Sequence, residues 1–169
     1  MRLAMSGLFR AKWTTEIHDE WMRNLLANRP DLDPSKIQRT RELMDASVLD
    51  GLVTGYAELI AGLSLPDPDD RHVLAAAIRS GADAIITFNL KDFPEAALKP
   101  FGIEAQHPDD FIVCQLDLAP GLVVRALKDQ HQALRNPRQS VDQFLERLEA
   151  QQLTQTVARL RGDHYAELL

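Results

Sequence analysis

Apolar positions recur at helical spacing along most of the chain, and a few short apolar runs interrupt this pattern. The spacing predicts early helices over residues 14–28, 36–46, 71–80 and 111–116. The short runs predict strands over residues 52–56, 84–88 and 102–106. Because strands and helices alternate as far as Leu116, we predict an α/β fold with a central parallel sheet covered by helices on both faces, a three-layer α/β/α domain.

The ends of the chain show helical patterns alone. Residues 1–10 are typical of the end of an amphipathic helix that Gly7 closes. After residue 116 the helical spacing continues through residues 141–153 and 154–169, with a predicted break at Asn136-Pro137. We therefore predict an α/β domain over residues 1–116 and a helical extension over residues 117–169. The extension is too short to bury a full core alone, so it should cover the sheet or pair with another chain.

The composition of the chain indicates its cellular location. The 169 residues are 45% hydrophobic and 26% charged, as in ordinary globular proteins. No apolar run approaches the length of a membrane span, and the first residues do not form a secretory signal. The single cysteine, Cys114, excludes an intrachain disulfide and fits a reducing compartment. We expect a cytoplasmic protein without a membrane partner.

The acidic residues are concentrated in the middle of the sequence. The net charge is −6, and residues 51–120 contain four Lys or Arg against eleven Asp or Glu. A bare acidic surface repels nucleic acid. Divalent cations bound among the acids would reverse the local field, so a nucleic-acid substrate is not excluded.

The segment over residues 65–93 carries the candidate chemistry. Asp67, Asp69 and Asp70 precede a predicted helix, and Asn89 and Asp92 follow a predicted strand. Helix starts and strand ends meet at one edge of an open α/β sheet, where such folds bind ligands. Since Mg²⁺ prefers oxygen ligands, carboxylates that converge there indicate a divalent-metal site.

Three motifs together resemble a known family, the PIN-domain ribonucleases, and most closely the VapC-type toxins of bacterial toxin–antitoxin pairs. The motifs are EIHDEW, DPDDRHVLAAAI and ITFNLKDF. The resemblance, which covers roughly residues 1–116, implies that Glu20, Asp70 and Asp92 are catalytic and hold Mg²⁺ or Mn²⁺. It implies that Thr87 and Asn89 position water or phosphate oxygens. It also implies an RNA substrate, a cognate antitoxin and a possible homodimer.

The sequence departs from this family at its start. The family begins with an apolar strand that ends in a metal-binding Asp, whereas residues 1–4 correspond to the middle of the family's first helix. We expect that the chain is either truncated or a disarmed relative. In both cases we expect it to cleave RNA poorly alone or to need a partner strand.

Simpler roles compete with each functional assignment. Instead of binding metal, Asp70 can cap the helix that follows it. Glu20 can pair with Arg23 on its own helix, and Asp92 can be a turn residue. Asp67 and Glu16 are expected to support the site or face solvent, and all five histidines are expected at the surface or in packing. Two other functions stay open: a catalytically silent PIN-like module that binds RNA or an antitoxin, and a metal phosphohydrolase for small phosphate esters.

Overall fold

The computed structural model describes residues 2–134, 137 and 139–169. The helices of this part are α1 Thr15–Asn28, α2 Pro34–Ser47, α3 Ala57–Ile60, α4 Arg71–Ser80, α5 Glu95–Leu98, α6 Pro108–Leu118, α7 Pro120–Ala133, α8 Val141–Ala150 and α9 Thr154–Gly162. The strands are β1 Ala84–Ile86 and β2 Glu104–Gln106. In the described residues, the helices all fall short of the length and apolarity that a membrane crossing requires.

The sheet is parallel and small. Strands β1 and β2 pair with each other: the Glu104 N–H donates to the Asp83 carbonyl at 3.1 Å, and the Thr87 N–H donates to the Gln106 carbonyl at 3.0 Å. Leu52 forms a separate single parallel bridge with Trp13. The α/β class predicted from the sequence is therefore confirmed.

The predicted strand over residues 52–56 is wrong. Only Leu52 takes part in strand pairing, and Gly55 leaves the extended conformation with a φ of 69°. Glycine adopts this left-handed backbone at little cost, and the chain turns there into α3.

The predicted helices lie close to the observed ones, with four corrections. Helix α8 ends at Ala150 rather than at residue 153, and α9 ends at Gly162, after which Tyr165–Leu168 form a separate 3₁₀ helix. At the start of the chain, where a longer helix end was expected, Ala4–Ser6 form one 3₁₀ turn, and Gly7 follows it with a φ of 77°. Helix α6 begins at Pro108 rather than at residue 111, because His107 caps it and proline suits the first helical position. Of the predicted break at Asn136-Pro137, Asn136 lies outside the described residues.

The chain forms two compact units. The first, which we call the acidic unit, comprises Arg10–Ile85 and Asn89–Ala105. Its core consists of Leu65, Leu74, Ala77, Ile85, Phe93, Leu98 and Ile103. Helix α4 supplies much of this burial, since Leu74 and the three alanines after it are almost inaccessible to solvent.

The second compact unit, which we call the helical unit, comprises Met1–Phe9, Ile86–Phe88 and Gln106–Leu169. It has a separate core of Leu116, Val123, Val124, Leu127, Phe144, Leu145, Leu148, Val157 and Leu160. These residues come from helices α6 to α9, so the apolar faces of these amphipathic helices form the core of the unit. The predicted boundary between residues 116 and 117 stays a prediction.

A polar network fixes helix α1 within the acidic unit. Asp45 of α2 accepts a hydrogen bond from the Trp13 indole at 2.7 Å, and its same oxygen lies 3.1 Å from His18 Nε2. The Trp21 indole donates to His18 Nδ1 at 2.8 Å. Since Nδ1 accepts, the imidazole donates from Nε2 to Asp45. Although burial alone would raise the pKa of Asp45, these bonds from Trp13 and His18 lower it. The network anchors the helix that carries Glu16 and Glu20.

Candidate metal site

Two aspartates near the start of helix α4 have different roles: Asp67 forms a capping hydrogen bond, and Asp70 does not. The Asp67 carboxylate accepts a hydrogen bond from the Asp69 N–H at 2.9 Å and so caps the short 3₁₀ turn before α4. Asp70 occupies the N-cap position of α4, but its side chain makes no capping hydrogen bond in the described structure. The alternative role of Asp70 as a side-chain N-cap is therefore wrong.

The Asp70 carboxyl lies in an electronegative environment. Burial raises the pKa of Asp70 above its ordinary value. Three carboxylates raise that pKa further by repulsion: Asp67, Asp92 and Glu20. The His72 imidazole has a smaller, opposite effect. The acidic unit thus brings the three predicted metal ligands close enough to interact electrostatically.

Glu20 extends from α1 towards α4. Its Oε1 lies 3.2 Å from Nε2 of His72, so the described partner of Glu20 is His72 and not Arg23 as the alternative interpretation proposed. About one third of the Glu20 side chain is exposed, against 4% of the His72 side chain. The glutamate is therefore accessible while its histidine partner is buried.

Sequence reasoning missed the histidine and the tyrosine at this site. His72 also approaches Glu16, with 3.6 Å between Nδ1 and Oε2. That same Glu16 oxygen accepts a hydrogen bond from the Tyr56 hydroxyl at 3.1 Å. The available signal was helical spacing, because His72 stands three and four positions before the buried Ala75 and Ala76 and so shares their face.

The last predicted ligand follows strand β1. Leu90–Asp92 form a 3₁₀ turn, and the Asn89 side-chain amide donates a hydrogen bond to Oδ2 of Asp92. Asn89 thus orients a candidate ligand. Thr87 belongs to the helical unit rather than to the unit with the acids. Its predicted positioning role, like the metal and catalytic roles of the other residues, stays a prediction.

The donor set fits a divalent metal in its chemistry. Glu20, Asp70 and Asp92 offer carboxylate oxygens, the donors that hard cations prefer. The raised pKa of Asp70 indicates negative charge that a cation would neutralise. Within residues 2–134, 137 and 139–169, no three His, Cys, Asp or Glu side chains are arranged so that they could hold one ion. A bound cation would therefore need the carboxylates to draw closer together.

Comparison with known proteins decides the family. The model of the family described as "PIN domain" matches residues 1–91, more than half of the chain. The chain belongs to the PIN-domain family. The resemblance inferred from the three motifs is thus confirmed. Glu20 and Asp70 lie inside the matched range, and Asp92 lies one residue beyond it.

Two further comparisons concern particular relatives. A family model described as "VapC50 C-terminal domain" matches residues 108–162, where this PIN-domain protein forms α6 to α9. Over 76 residues the chain is 54% identical to "Putative ribonuclease VapC50" of Mycobacterium tuberculosis (strain ATCC 25618 / H37Rv). This match covers 43% of the chain and 44% of that protein, less than half of each. No solved structure matches the chain.

Proposed function

We propose that this PIN-domain protein is a metal-dependent endoribonuclease, the toxin of a toxin–antitoxin pair. The observation that carries the proposal is the surroundings of Asp70, whose pKa is raised by burial and by the charges of Asp67, Asp92 and Glu20. Such a cluster is unfavourable in an unliganded protein and is expected where charge serves binding or catalysis. The 54% identity to a protein named as a ribonuclease supports RNA as the substrate.

The proposed reaction is the hydrolysis of an RNA phosphodiester bond. Glu20, Asp70 and Asp92 would hold Mg²⁺ or Mn²⁺, which supplies an activated water and neutralises phosphate charge when bound. Water attacks phosphorus, the bond from phosphorus to the leaving oxygen breaks, and one product retains the phosphate. Asn89 would keep the Asp92 carboxylate oriented for this role through its amide. Thr87 is proposed to position water or a phosphate oxygen with its hydroxyl.

One observation favours a second candidate, the catalytically silent PIN-like module. In the part of the chain that the structure describes, the acids approach one another without forming a set that could hold an ion. A silent module would keep the fold and bind RNA or an antitoxin without cleaving it. Metal binding therefore discriminates between the two functions more directly than RNA binding does.

The deciding experiment combines calorimetry with an RNA cleavage assay. We expect Mn²⁺ to bind the purified chain and to support slow cleavage of single-stranded RNA, in keeping with the poor activity expected of this chain alone. We expect Asp70→Asn to reduce that cleavage at least about 100-fold, because a direct ligand should matter more than its supporting shell. Asp83→Asn is the matched control, since Asp83 is an exposed aspartate at the other end of α4. Small phosphate esters tested in parallel would reveal a general phosphohydrolase.

The outcomes separate the candidates. Absence of Mn²⁺ binding at millimolar metal, with RNA bound but not cleaved, would establish the silent module. A cognate antitoxin, a homodimer and a cytoplasmic location belong to the same proposal. Co-purification with the product of a neighbouring gene, followed by size determination of the complex, tests the first two.

A further inference from the structure

The buried imidazole of His72 stands out among the groups that the proposed reaction does not use. Only 4% of its side chain is exposed, and it lies between two glutamates of α1. A buried polar ring is stable only when its nitrogens find partners. The nitrogen Nε2 has Glu20 Oε1 at 3.2 Å. The nitrogen Nδ1 is buried without a hydrogen bond, and its closest acid, Glu16, is 3.6 Å away.

The two glutamates are held differently. Glu16 is half exposed, and the Tyr56 hydroxyl donates to its Oε2 at 3.1 Å. Glu20 is bonded to His72 through Oε1, and a carboxylate has a second oxygen that can serve as a ligand. The imidazole therefore restrains Glu20 from one side while the exposed third of this side chain remains open to solvent.

We infer that His72 is a positioning residue that holds Glu20, through the hydrogen bond from Nε2 to Oε1, in the orientation required to bind a divalent cation together with Asp70. The rigid backbone of α4 connects the two functions, because His72 and Asp70 are two residues apart at the start of that helix. Hydrogen bonds to ligating carboxylates fix their orientation and commonly change metal affinity 10- to 100-fold. The inference rests on the proposed function, since it concerns the same site.

The test uses three substitutions of His72 and the full chain. The amide nitrogen of His72→Gln can occupy the place of Nε2 and donate to Glu20, whereas His72→Asn carries its amide nearer to the place of Nδ1. His72→Leu removes both nitrogens. Mn²⁺ affinity is measured by calorimetry, and thermal unfolding in EDTA reports on the fold separately. His131→Gln is the matched control, because the ring nitrogens of His131 face the backbone carbonyls of Leu169 and Gln139 rather than a candidate ligand.

We expect His72→Leu and His72→Asn to weaken Mn²⁺ binding about 10-fold or more, and His72→Gln to restore affinity to within about 3-fold of the wild type. His131→Gln should lower stability and leave Mn²⁺ affinity unchanged. Wild-type affinity in a folded Leu or Asn variant would overturn the inference, as would equal loss in all three. If Leu does not fold, Asn and Gln still form the decisive pair. A wild-type chain that binds no Mn²⁺ would overturn the proposed function and this inference with it.

Discussion

Two aspartates, one in each unit, stand at the start of a helix and have opposite electrostatic surroundings. In the acidic unit, burial and neighbouring carboxylates raise the pKa of Asp70. In the helical unit, burial alone would raise the pKa of Asp109, but hydrogen bonds from Thr156 and Gln155 lower it. Although both aspartates stand at a helix start, the Asp70 carboxylate is surrounded by like charges and the Asp109 carboxylate is satisfied by hydrogen bonds.

The compensation at Asp109 comes from a distant helix start. Its carboxylate accepts from the backbone N–H groups of Gln155 and Thr156, each at 2.8 Å. These are amides of the first turn of α9, which have no partner within their own helix. Asp109, only 2% exposed, thus caps α9 from α6. A carboxylate whose neighbours are backbone amides, as at Asp109, stabilises the fold. A carboxylate whose neighbours are other carboxylates, as at Asp70, is a candidate for binding a ligand.

The largest stability effect in this comparison is expected for Asp109→Ala. The substitution leaves the buried amide of Thr156 and the partly buried amide of Gln155 without an acceptor, and the loss of a buried hydrogen-bond partner costs about 1–3 kcal/mol. We expect the free energy of unfolding to fall by about 3 kcal/mol, as measured by urea denaturation. Asp110→Ala is the neighbouring control, because Asp110 is exposed and bonds only a side-chain amide of Gln155 among its described hydrogen bonds. Equal, small losses in both variants would contradict the capping role.

The contrast between the aspartates also shows what the sequence could reveal. Motif order and helical spacing were sufficient to predict the α/β class and the helix that begins at Arg71. They also placed Asp70 at a helix start and Asp92 after a strand, whereas Glu20, which lies within α1, was implied only by the family resemblance. These features depend on local sequence, which one chain displays directly.

Features that depend on distant contacts were not predictable in the same way. Asp109 lies in the first turn of α6, but its carboxylate accepts hydrogen bonds from the first turn of α9, 46 and 47 residues further along. His72 was assigned to surface or packing, yet its partner Glu20 is 52 residues away. Local spacing indicated the buried face of α4 without indicating which element would cover it.

A pH series makes the comparison sharper. The pKa of Asp109 is lowered from 3.8 in the folded state. Its contribution to folding stability is therefore fully present above the pKa of the unfolded state and is lost as the pH falls through the pKa of the folded state. We expect the stability difference between wild type and Asp109→Asn to be constant near neutral pH and to shrink below about pH 4. Urea unfolding at several pH values measures it. A difference that persists unchanged at pH 2 would contradict the lowered pKa.

The smallest change in the free energy of unfolding is expected for Asp70→Asn in EDTA. It should be a gain in stability, whereas the Asp109 variants should lose stability. The pKa of Asp70 is raised in the folded state. Its contribution to folding stability is therefore present below the pKa of the unfolded state and is lost as the pH rises through the pKa of the folded state. The neutral asparagine avoids repulsion from the neighbouring acids, so we expect a gain of up to about 0.5 kcal/mol at pH 7 and none at pH 3. Urea midpoints beside those of Asp83→Asn measure it. A loss like that of Asp109→Ala would mean that Asp70 also stabilises the fold, and the distinction between the two aspartates would fail.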